Sequence, residues 1–176
     1  MNVRVGILTV SDRVTRGEAE DHSGPALAEL VEQRLAGAKV VARQVVPDEV
    51  EAIQAVLRRW ADEERLDLVL TTGGTGFAPR DRTPEATRPL LDREAPGLIV
   101  AMLVASLRVT PHAMLSRPAA GIRGRTLIVN LPGSPKAACE NLEAILPALP
   151  HGLALLREEP GASQQHRHVP PERSQE

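Results

Sequence analysis

The residues best suited to phosphate chemistry lie in one glycine-rich segment. Thr71-Thr72-Gly73-Gly74-Thr75-Gly76 ends the apolar run 67–72 and continues past it. Glycines allow positive φ and close approach of the backbone to a ligand. Successive N–H groups can then form an anion-binding concavity, and the threonine hydroxyls add donors. We predict a phosphate-binding glycine loop made of Thr72, Gly73, Gly74, Thr75 and Gly76; a plain glycine-rich connector is the alternative.

This loop differs from the two most common nucleotide motifs. No Gly-Lys-Ser/Thr follows it, which excludes a Walker A loop, and the next predicted helix begins only near Thr83, which excludes a Rossmann fingerprint. The chain has only two lysines, Lys39 and Lys136. Phosphate charge must therefore be met by backbone dipoles, by a metal ion or by nearby arginines, for which the candidates are Arg80, Arg82 and Arg117.

Two aspartates, Asp48 and Asp81, are the candidate metal ligands. Each alone is explained as a helix cap or a turn carboxylate. Together, beside a phosphate loop, they can hold Mg²⁺ through oxygen ligands. Without a cation they would repel a polyphosphate, because like charges about 4 Å apart cost roughly 4 kcal/mol at an effective dielectric near 20. We therefore predict a phosphate bridged by Mg²⁺ on Asp48 and Asp81.

Two further segments carry suitable groups. The turn Leu131–Pro135 opens a predicted helix, whose N-terminus suits an anion; Ser134 is alternatively only its N-cap. Ser116-Arg117 lies in a loop-like stretch, where an arginine can bind a phosphate or a carboxylate with two parallel hydrogen bonds. A surface salt bridge is the alternative for Arg117.

The elements that must position these groups alternate between strand and helix. Alternation of this kind predicts a three-layer α/β/α domain with a mostly parallel sheet, whose ligand crevice lies at the carboxyl ends of the strands. The predicted strands are Val3–Val10, Val40–Val46, Asp67–Thr72 and Arg125–Leu131, and each ends at a candidate segment.

Several local expectations follow from the same patterns. We expect a loop at 11–22, a helix capped by Thr83, and an irregular strand or hairpin arm within 114–122. The apolar stretch Leu98–Leu107 is expected to be the most buried helix, serving as core or as a subunit interface. Residues 1–157 form the predicted domain, and 158–176, rich in Pro, Gln, Ser and Arg, a disordered tail.

Composition excludes several classes of protein. The 176 residues include 21 basic and 23 acidic ones, for a net charge of −2, which disfavours nucleic acid or an anionic membrane as partner. Cys139 is the single cysteine, so no disulfide framework or thiolate metal site can form within one chain. The uncharged stretch Ala95–Leu107 is shorter than the roughly 20 residues that span a bilayer. We expect a cytoplasmic protein.

Several blocks in one order carry a resemblance to a known family. They are TVSDR (9–13), AEDHSGP (19–25), VPDE (46–49), TTGGTGFAPRDRTPEAT (71–87) and LSRPAAGIRGRTLIVNLPGSPKA (115–137). Over about residues 3–157 the chain resembles the molybdopterin adenylyltransferases of the MogA/MoaB type. The resemblance implies a homotrimer that uses Mg-ATP to adenylylate molybdopterin, releasing pyrophosphate, with molybdate inserted afterwards by a separate domain or protein.

The resemblance also implies roles for individual residues. The family's functional aspartates fall on Asp48 and Asp81, and its nucleotide loop falls on the glycine loop. Positions implied to handle molybdopterin are Ser11, Asp12, Ser106, Ser116, Arg117, Asn130, Pro132, Gly133 and Ser134. Displacement at phosphorus needs positioning and charge neutralisation more than proton transfer, so we assign the aspartates to metal and phosphate. A non-catalytic molybdopterin carrier or scaffold, and a CinA-type hydrolase, are the alternatives.

Overall fold

The computed structural model describes residues 2–162, and within them the chain forms one six-stranded sheet covered by seven α-helices. The strands are β1 (Val3–Val10), β2 (Ala38–Val46), β3 (Leu68–Thr72), β4 (Arg93–Glu94), β5 (Ala120–Arg123) and β6 (Thr126–Leu131). The helices are α1 (Asp12–Thr15), α2 (Ser23–Arg34), α3 (Val50–Arg58), α4 (Thr83–Thr87), α5 (Pro96–Leu107), α6 (Pro135–Ile145) and α7 (Leu149–Leu156).

The sheet has the order β2-β1-β3-β6-β5-β4. β1 runs parallel to β2 and β3, and β3 runs parallel to β6, while β5 and β4 form an antiparallel edge. In this register Thr9 pairs with Thr72, and Thr72 pairs with Leu131. Three strands therefore end side by side, which brings the segments that follow them to one edge of the sheet.

The two faces of the sheet are covered by different helices. Apolar residues of α2, α5, α6 and α7 pack on one face, and those of α3 and α4 pack on the other together with Trp60. Every residue of β3 and β6 is buried, as expected for strands covered on both sides. The predicted three-layer α/β/α architecture is confirmed.

The hairpin arm expected within 114–122 is confirmed by β5, which begins at Ala120 and pairs antiparallel with β6, while the start of the stretch completes a 3₁₀ turn, Pro111–Leu115. Three other local expectations are corrected. Residues 11–22 contain the short helix α1. Arg82, not Thr83, is the N-cap of α4, and the Thr83 hydroxyl instead donates to the carbonyl oxygen of Gly73 at 2.9 Å. The third correction concerns α5.

α5 is an apolar helix with an exposed face. Met102 is its only buried residue, and Val100, Leu103, Val104 and Leu107 are exposed at helical spacing. Val109, Met114 and Leu115 extend this apolar surface along the following 3₁₀ turn. The expectation that this is the most buried helix is wrong, because only one side of it reaches the sheet.

Residues 158–162 continue in turns after α7, and Ala162 is buried. The rest of the predicted tail, 163–176, lies outside the described residues. Within 2–162, no helix combines the length and apolarity needed to cross a membrane.

Candidate functional site

A polar cleft of about 350 Å³ opens at the carboxyl edge of the sheet. It unites groups that are up to 126 residues apart in the chain, from Thr9 to Pro135, and these come from the ends of β1, β2, β3 and β6 and from the start of α2. Its lining includes the predicted residues Ser11, Asp48, Thr72, Gly73, Gly74, Asp81 and Gly133. The topology thus assembles the candidate phosphate loop, both candidate metal ligands and the turn before α6 around one space.

The glycine loop requires glycine for two separate reasons. Gly73 has φ +99° and Gly74 has φ +64°, which side chains rarely adopt. A Cβ at Gly73 would lie 2.2 Å from the carbonyl oxygen of Val10, and one at Gly74 would lie 2.9 Å from Oδ1 of Asp48. The loop therefore passes between β1 and the Asp48 carboxylate with space only for hydrogen.

The threonine hydroxyls near the glycine loop form hydrogen bonds to other parts of the protein. Thr72 donates to the carbonyl oxygen of Pro132 at 2.7 Å, and Thr75 shares a 3.3 Å hydrogen bond with Ser116. The Thr71 hydroxyl accepts from the amide of Asn130 at 3.0 Å. Each of these hydroxyls therefore has a partner inside the protein. Donation from Thr72 or Thr75 to a ligand stays a prediction, and the backbone N–H groups of the loop are the further candidate donors.

Asp48 and Asp81 both lie beside the glycine loop, although they come from different segments of the chain. Oδ2 of Asp48 accepts from the backbone N–H of Asp12 at 2.8 Å, and Oδ2 of Asp81 accepts from that of Ala78 at 2.9 Å. A Cβ at Gly76 would lie 2.8 Å from Oδ2 of Asp81. Asp48 is not a helix cap, since Glu49 occupies that position in α3, whereas Asp81 does close a turn.

The surroundings of Asp48 disfavour its ionised form, which a bound cation would stabilise. Burial raises the pKa of its carboxyl above the usual 3.8, and the carboxylates of Asp12 and Asp81 add to the rise. Across residues 2–162, no three His, Cys, Asp or Glu side chains are grouped to hold a metal by themselves. Two carboxylates with space beside them match Mg²⁺, which proteins commonly bind through one or two carboxylates plus the phosphates of a substrate.

Helix N-termini add positive potential to the cleft. Ser23, at the start of α2, and Pro135, at the start of α6, both line it. The N-terminus of a helix carries about half a positive charge and attracts anions. The cleft thus combines carboxylates suited to a cation with backbone dipoles suited to a phosphate.

Asp12 contributes to the site without lining the cleft. Its carboxylate accepts two hydrogen bonds from Arg80, at 2.7 and 2.8 Å, and a third from the backbone N–H of Asp48 at 3.0 Å. The hydrogen bonds from Arg80 lower the pKa of Asp12 below its usual value. Asp12 thus makes its contacts within the protein, and its expected contact with molybdopterin stays a prediction.

Arg117 clamps the glycine loop from the far side. Its backbone N–H donates to Thr75 O, and its guanidinium donates to the carbonyl oxygens of Gly76 and Asp81, all at 2.8 Å. The guanidinium also pairs with Glu85. With its donors used in this way, Arg117 holds the loop in place. The salt bridge that we gave as the alternative is confirmed by the pair with Glu85, and a contact of Arg117 with a ligand stays a prediction.

Asn130 also positions the site from inside. Its side chain is fully buried, with Oδ1 accepting from the N–H of Ala119 and Nδ2 donating to Thr71 and Thr87, each at 3.0 Å. A ligand cannot reach it. The expected contact between Asn130 and molybdopterin is therefore corrected to a structural link between β3, β6 and α4.

The remaining predicted residues line a second, apolar cavity of about 320 Å³. Ser106, Ser116, Pro132 and Ser134 lie there, among apolar side chains of α5 and the 3₁₀ turn such as Met102, Leu103, Val109 and Ala113. Ser134 is the N-cap of α6, and Ser106 accepts a 2.7 Å hydrogen bond from Asn141. The turn 132–134 separates the two spaces, with Gly133 on the polar cleft and Pro132 on the apolar cavity.

One wall of the polar cleft includes residues 21–23, to which the sequence analysis assigned no role. Asp21 accepts hydrogen bonds from the Thr9 hydroxyl at 2.8 Å and the Gly24 N–H at 2.9 Å, and Ser23 donates to Gly133 O at 3.3 Å. The segment Asp-His-Ser-Gly-Pro before a helix was the available signal, because such residues favour helix starts.

Comparisons with known proteins agree with this arrangement. A family model described as a probable molybdopterin binding domain matches residues 6–151. The chain is 44% identical over 154 residues to the molybdopterin adenylyltransferase of Helicobacter pylori J99, covering 88% of each chain. It is 49% identical over 172 residues to gephyrin of Dictyostelium discoideum, covering 93% of this chain but 24% of gephyrin.

A solved structure is also similar throughout. The molybdopterin biosynthesis enzyme MoaB of Thermus thermophilus is 60% identical, with a TM-score of 0.83 over 90% of this chain and 98% of that one. By contrast, the chain spans only about a quarter of the length of gephyrin and of the cinnamon protein of Drosophila melanogaster.

Proposed function

The chain belongs to the family of probable molybdopterin binding domains, and from this we propose that it is a molybdopterin adenylyltransferase that acts in molybdenum cofactor biosynthesis. In the proposed reaction the terminal phosphate of molybdopterin attacks the α-phosphate of ATP. The new P–O bond gives adenylyl-molybdopterin, and pyrophosphate leaves. The observation that carries the proposal is that Asp48 and Asp81 lie beside the glycine loop, in which Gly73 and Gly74 have no room for a side chain.

The chain's own residues supply binding and positioning in this reaction. Asp48 and Asp81 would hold Mg²⁺, which when bound neutralises phosphate charge and orients the displacement. The backbone of the glycine loop and the starts of α2 and α6 receive phosphate oxygens. Because the attacking phosphate is already anionic near neutral pH, no side chain needs to act as a strong base.

We assign the pterin ring to the apolar cavity. A flat heterocycle buries well against the side chains of α5, and Ser106 and Ser116 place hydroxyls in the same space. The turn 132–134 lies between this cavity and the polar cleft. A molecule with a ring at one end and a phosphate at the other can therefore span the turn and present its phosphate beside the glycine loop.

We further propose a homotrimer and a separate molybdate-inserting partner. The exposed apolar surface of α5, on which Val104 is 48% exposed, supports association with further copies. The much greater length of gephyrin and cinnamon supports a second activity outside the region this chain matches. Sedimentation of wild type and Val104→Glu tests the assembly: a trimer that becomes a monomer in the variant is expected, and a wild-type monomer contradicts it.

Mass spectrometry tests the reaction directly. Purified protein is incubated with Mg-ATP and molybdopterin in the absence of molybdate, and adenylyl-molybdopterin and pyrophosphate are measured. Product should require both substrates and fall about 100-fold or more in Asp48→Ala and Asp81→Ala, the usual loss when a charge-stabilising group is removed. Glu63→Ala, which removes an exposed carboxylate shortly before β3, is the control and should keep full activity.

Two outcomes would replace the proposal. Binding of molybdopterin without any adenylylated product would indicate the carrier or scaffold. Release of AMP from ATP without transfer to molybdopterin would indicate a hydrolase.

A further inference from the structure

Asp12 and Arg80 connect the two aspartates of the polar cleft. Asp12 and Asp48 exchange reciprocal hydrogen bonds, each backbone N–H donating to the other's carboxylate, at 2.8 and 3.0 Å. These bonds join the end of β1 to the end of β2. Arg80 then binds both carboxylate oxygens of Asp12 at 2.7 and 2.8 Å. A continuous path of short contacts therefore runs from Arg80 through Asp12 to Asp48.

The same arginine belongs to the loop that carries Asp81. Asp81 follows Arg80 directly, and the turn is closed in both directions between residues 78 and 81: Asp81 N donates to Ala78 O, and Ala78 N donates to Oδ2 of Asp81, each at 2.9 Å. Since this turn is compact, fixing Arg80 also fixes Asp81. The pair Asp12–Arg80 thus ties the segment bearing Asp81 to the strand ends bearing Asp48.

Four charged side chains meet in this part of the structure. Asp12, Asp48 and Asp81 bring three negative charges, and Arg80 brings one positive charge. The guanidinium offsets Asp12, its direct partner, so Asp48 and Asp81, the pair beside the glycine loop, remain to match one divalent cation. Without Arg80 the region would hold three uncompensated carboxylates beside a polyphosphate site.

We propose that Asp12 and Arg80 are positioning residues, a brace that sets the separation of Asp48 and Asp81 and thereby the affinity of the cleft for a metal-bound nucleotide. This rests on the proposed function. Bidentate arginine–carboxylate pairs are suited to such a role because two parallel hydrogen bonds fix orientation as well as distance. The side chain of Arg80 is 58% exposed, and exposed ion pairs contribute little to global stability. The brace therefore acts on local geometry.

A different role for Arg80 makes an opposite prediction. If Arg80 left Asp12 to bind a phosphate itself, removal of the Asp12 charge would free it, and nucleotide affinity would be kept or increased in Asp12→Asn. In the brace, Asp12 is the middle of the path, so Asp12→Asn weakens binding as Arg80→Ala does. The double variant restores the net charge of wild type but lacks the brace.

Calorimetry with a non-hydrolysable ATP analogue, in Mg²⁺ and in EDTA, separates these roles. The proteins compared are wild type, Arg80→Ala, Asp12→Asn, the double variant and Arg125→Ala. Arg125 is the matched control, an exposed arginine that also pairs with a carboxylate, that of Glu158, and lies outside the polar cleft. Removal of groups that orient metal ligands typically lowers metal affinity about 10–100-fold. We expect losses in that range in Mg²⁺ for both single variants and the double variant, and wild-type affinity for Arg125→Ala.

Mn²⁺ in place of Mg²⁺ adds a readout of geometry. The electron paramagnetic resonance spectrum of Mn²⁺ bound with the analogue should change in the same three variants and remain unchanged in Arg125→Ala. Thermal unfolding midpoints should fall only slightly below wild type, which shows that the variants remain folded. Recovery of wild-type affinity and spectrum in the double variant would overturn the brace, because charge alone would then suffice. Wild-type binding that is equal in Mg²⁺ and EDTA would instead overturn the proposed function, and the brace with it.

Discussion

The polar cleft and the apolar cavity share one wall and are built in opposite ways. The turn 132–134 separates them, and Ser116 lines the apolar cavity while its hydroxyl bonds the glycine loop. Around the polar cleft the walls are backbone turns and carboxylates, tied by hydrogen bonds from buried groups such as Thr72 and Asn130. Around the apolar cavity most of the exposed wall surface comes from aliphatic side chains such as Ile99, Met102 and Leu103, and Leu103 continues onto the exposed face of α5.

This difference shows what each region demands of its residues. The polar cleft depends on single positions where only one residue type has the required backbone or charge. The apolar cavity depends on total volume and shape, so many substitutions there should be tolerated if they do not fill the space. Three variants test this contrast, in order of decreasing effect.

The largest effect is expected from Gly73→Ala. The positive φ alone costs about 1–2 kcal/mol for a residue with a side chain, and the new Cβ would also lie 2.2 Å from Val10 O. Gly17→Ala is the control, since Gly17 also has positive φ, +72°, but open space around it. Urea unfolding should show a clearly larger loss of stability for Gly73→Ala, with adenylylation abolished. Equal losses in the two variants would show that the loop can move away from β1.

An intermediate effect is expected from Ala113→Leu. The larger side chain would project into the apolar cavity and take up part of its 320 Å³. We expect molybdopterin affinity to fall about tenfold, equivalent to roughly 1.4 kcal/mol, while affinity for the ATP analogue stays unchanged. Met114→Leu, a volume-conserving change at a 62% exposed residue of the same 3₁₀ turn, should affect neither. A parallel loss of both affinities in Ala113→Leu would mean that the two spaces are not separate sites.

The smallest effect is a gain of stability in Asp48→Asn. Burial places the folded-state pKa of Asp48 above its usual 3.8, so the folded protein binds more protons than the unfolded chain between these two values. The resulting penalty is absent below about pH 3.8 and complete above the folded-state pKa. At pH 7 the variant should therefore unfold at a slightly higher temperature than wild type, and this advantage should shrink as the pH falls through the folded-state pKa.

Asp12→Asn is the control, because its melting temperature should change in the opposite direction. Arg80 lowers the pKa of Asp12, so ionised Asp12 stabilises the folded protein above its unfolded pKa, and its loss should lower the melting temperature at pH 7. The same direction of change in both variants would contradict the assigned pKa shifts.

The features that sequence reasoning predicted well depend on local properties. Apolar β-branched runs predict the buried strands because such runs suit a sheet covered on both faces. Gly73 and Gly74 predict the unusual backbone of the loop because positive φ is a property of the residue itself. Asp48 and Asp81 were expected beside the glycine loop because one follows a predicted strand and the other follows the loop itself, and both line the cleft with it. Their role as metal ligands stays a prediction.

The features that were missed depend on partners far along the chain. Arg117 is 41 residues from Gly76, and Thr72 is 60 residues from Pro132. Nothing in the local sequence states whether such a group will face a ligand or a carbonyl oxygen. The exposure of α5 was missed for a related reason, since an apolar composition is the same whether a helix is covered by its own chain or by another surface.

The position of β6 in the sheet affects how the site can fold during synthesis. β6 follows the other five described strands in the chain, yet it lies between β3 and β5. A nascent chain that ends before residue 126 has β3 without one neighbour, and the glycine loop lacks the Leu131, Pro132 and Gly133 groups that it contacts. Contacts of such large sequence separation form slowly. Folding of this site must therefore wait until residue 133 has left the ribosome, and until then one edge of the apolar strand β3 is unpaired.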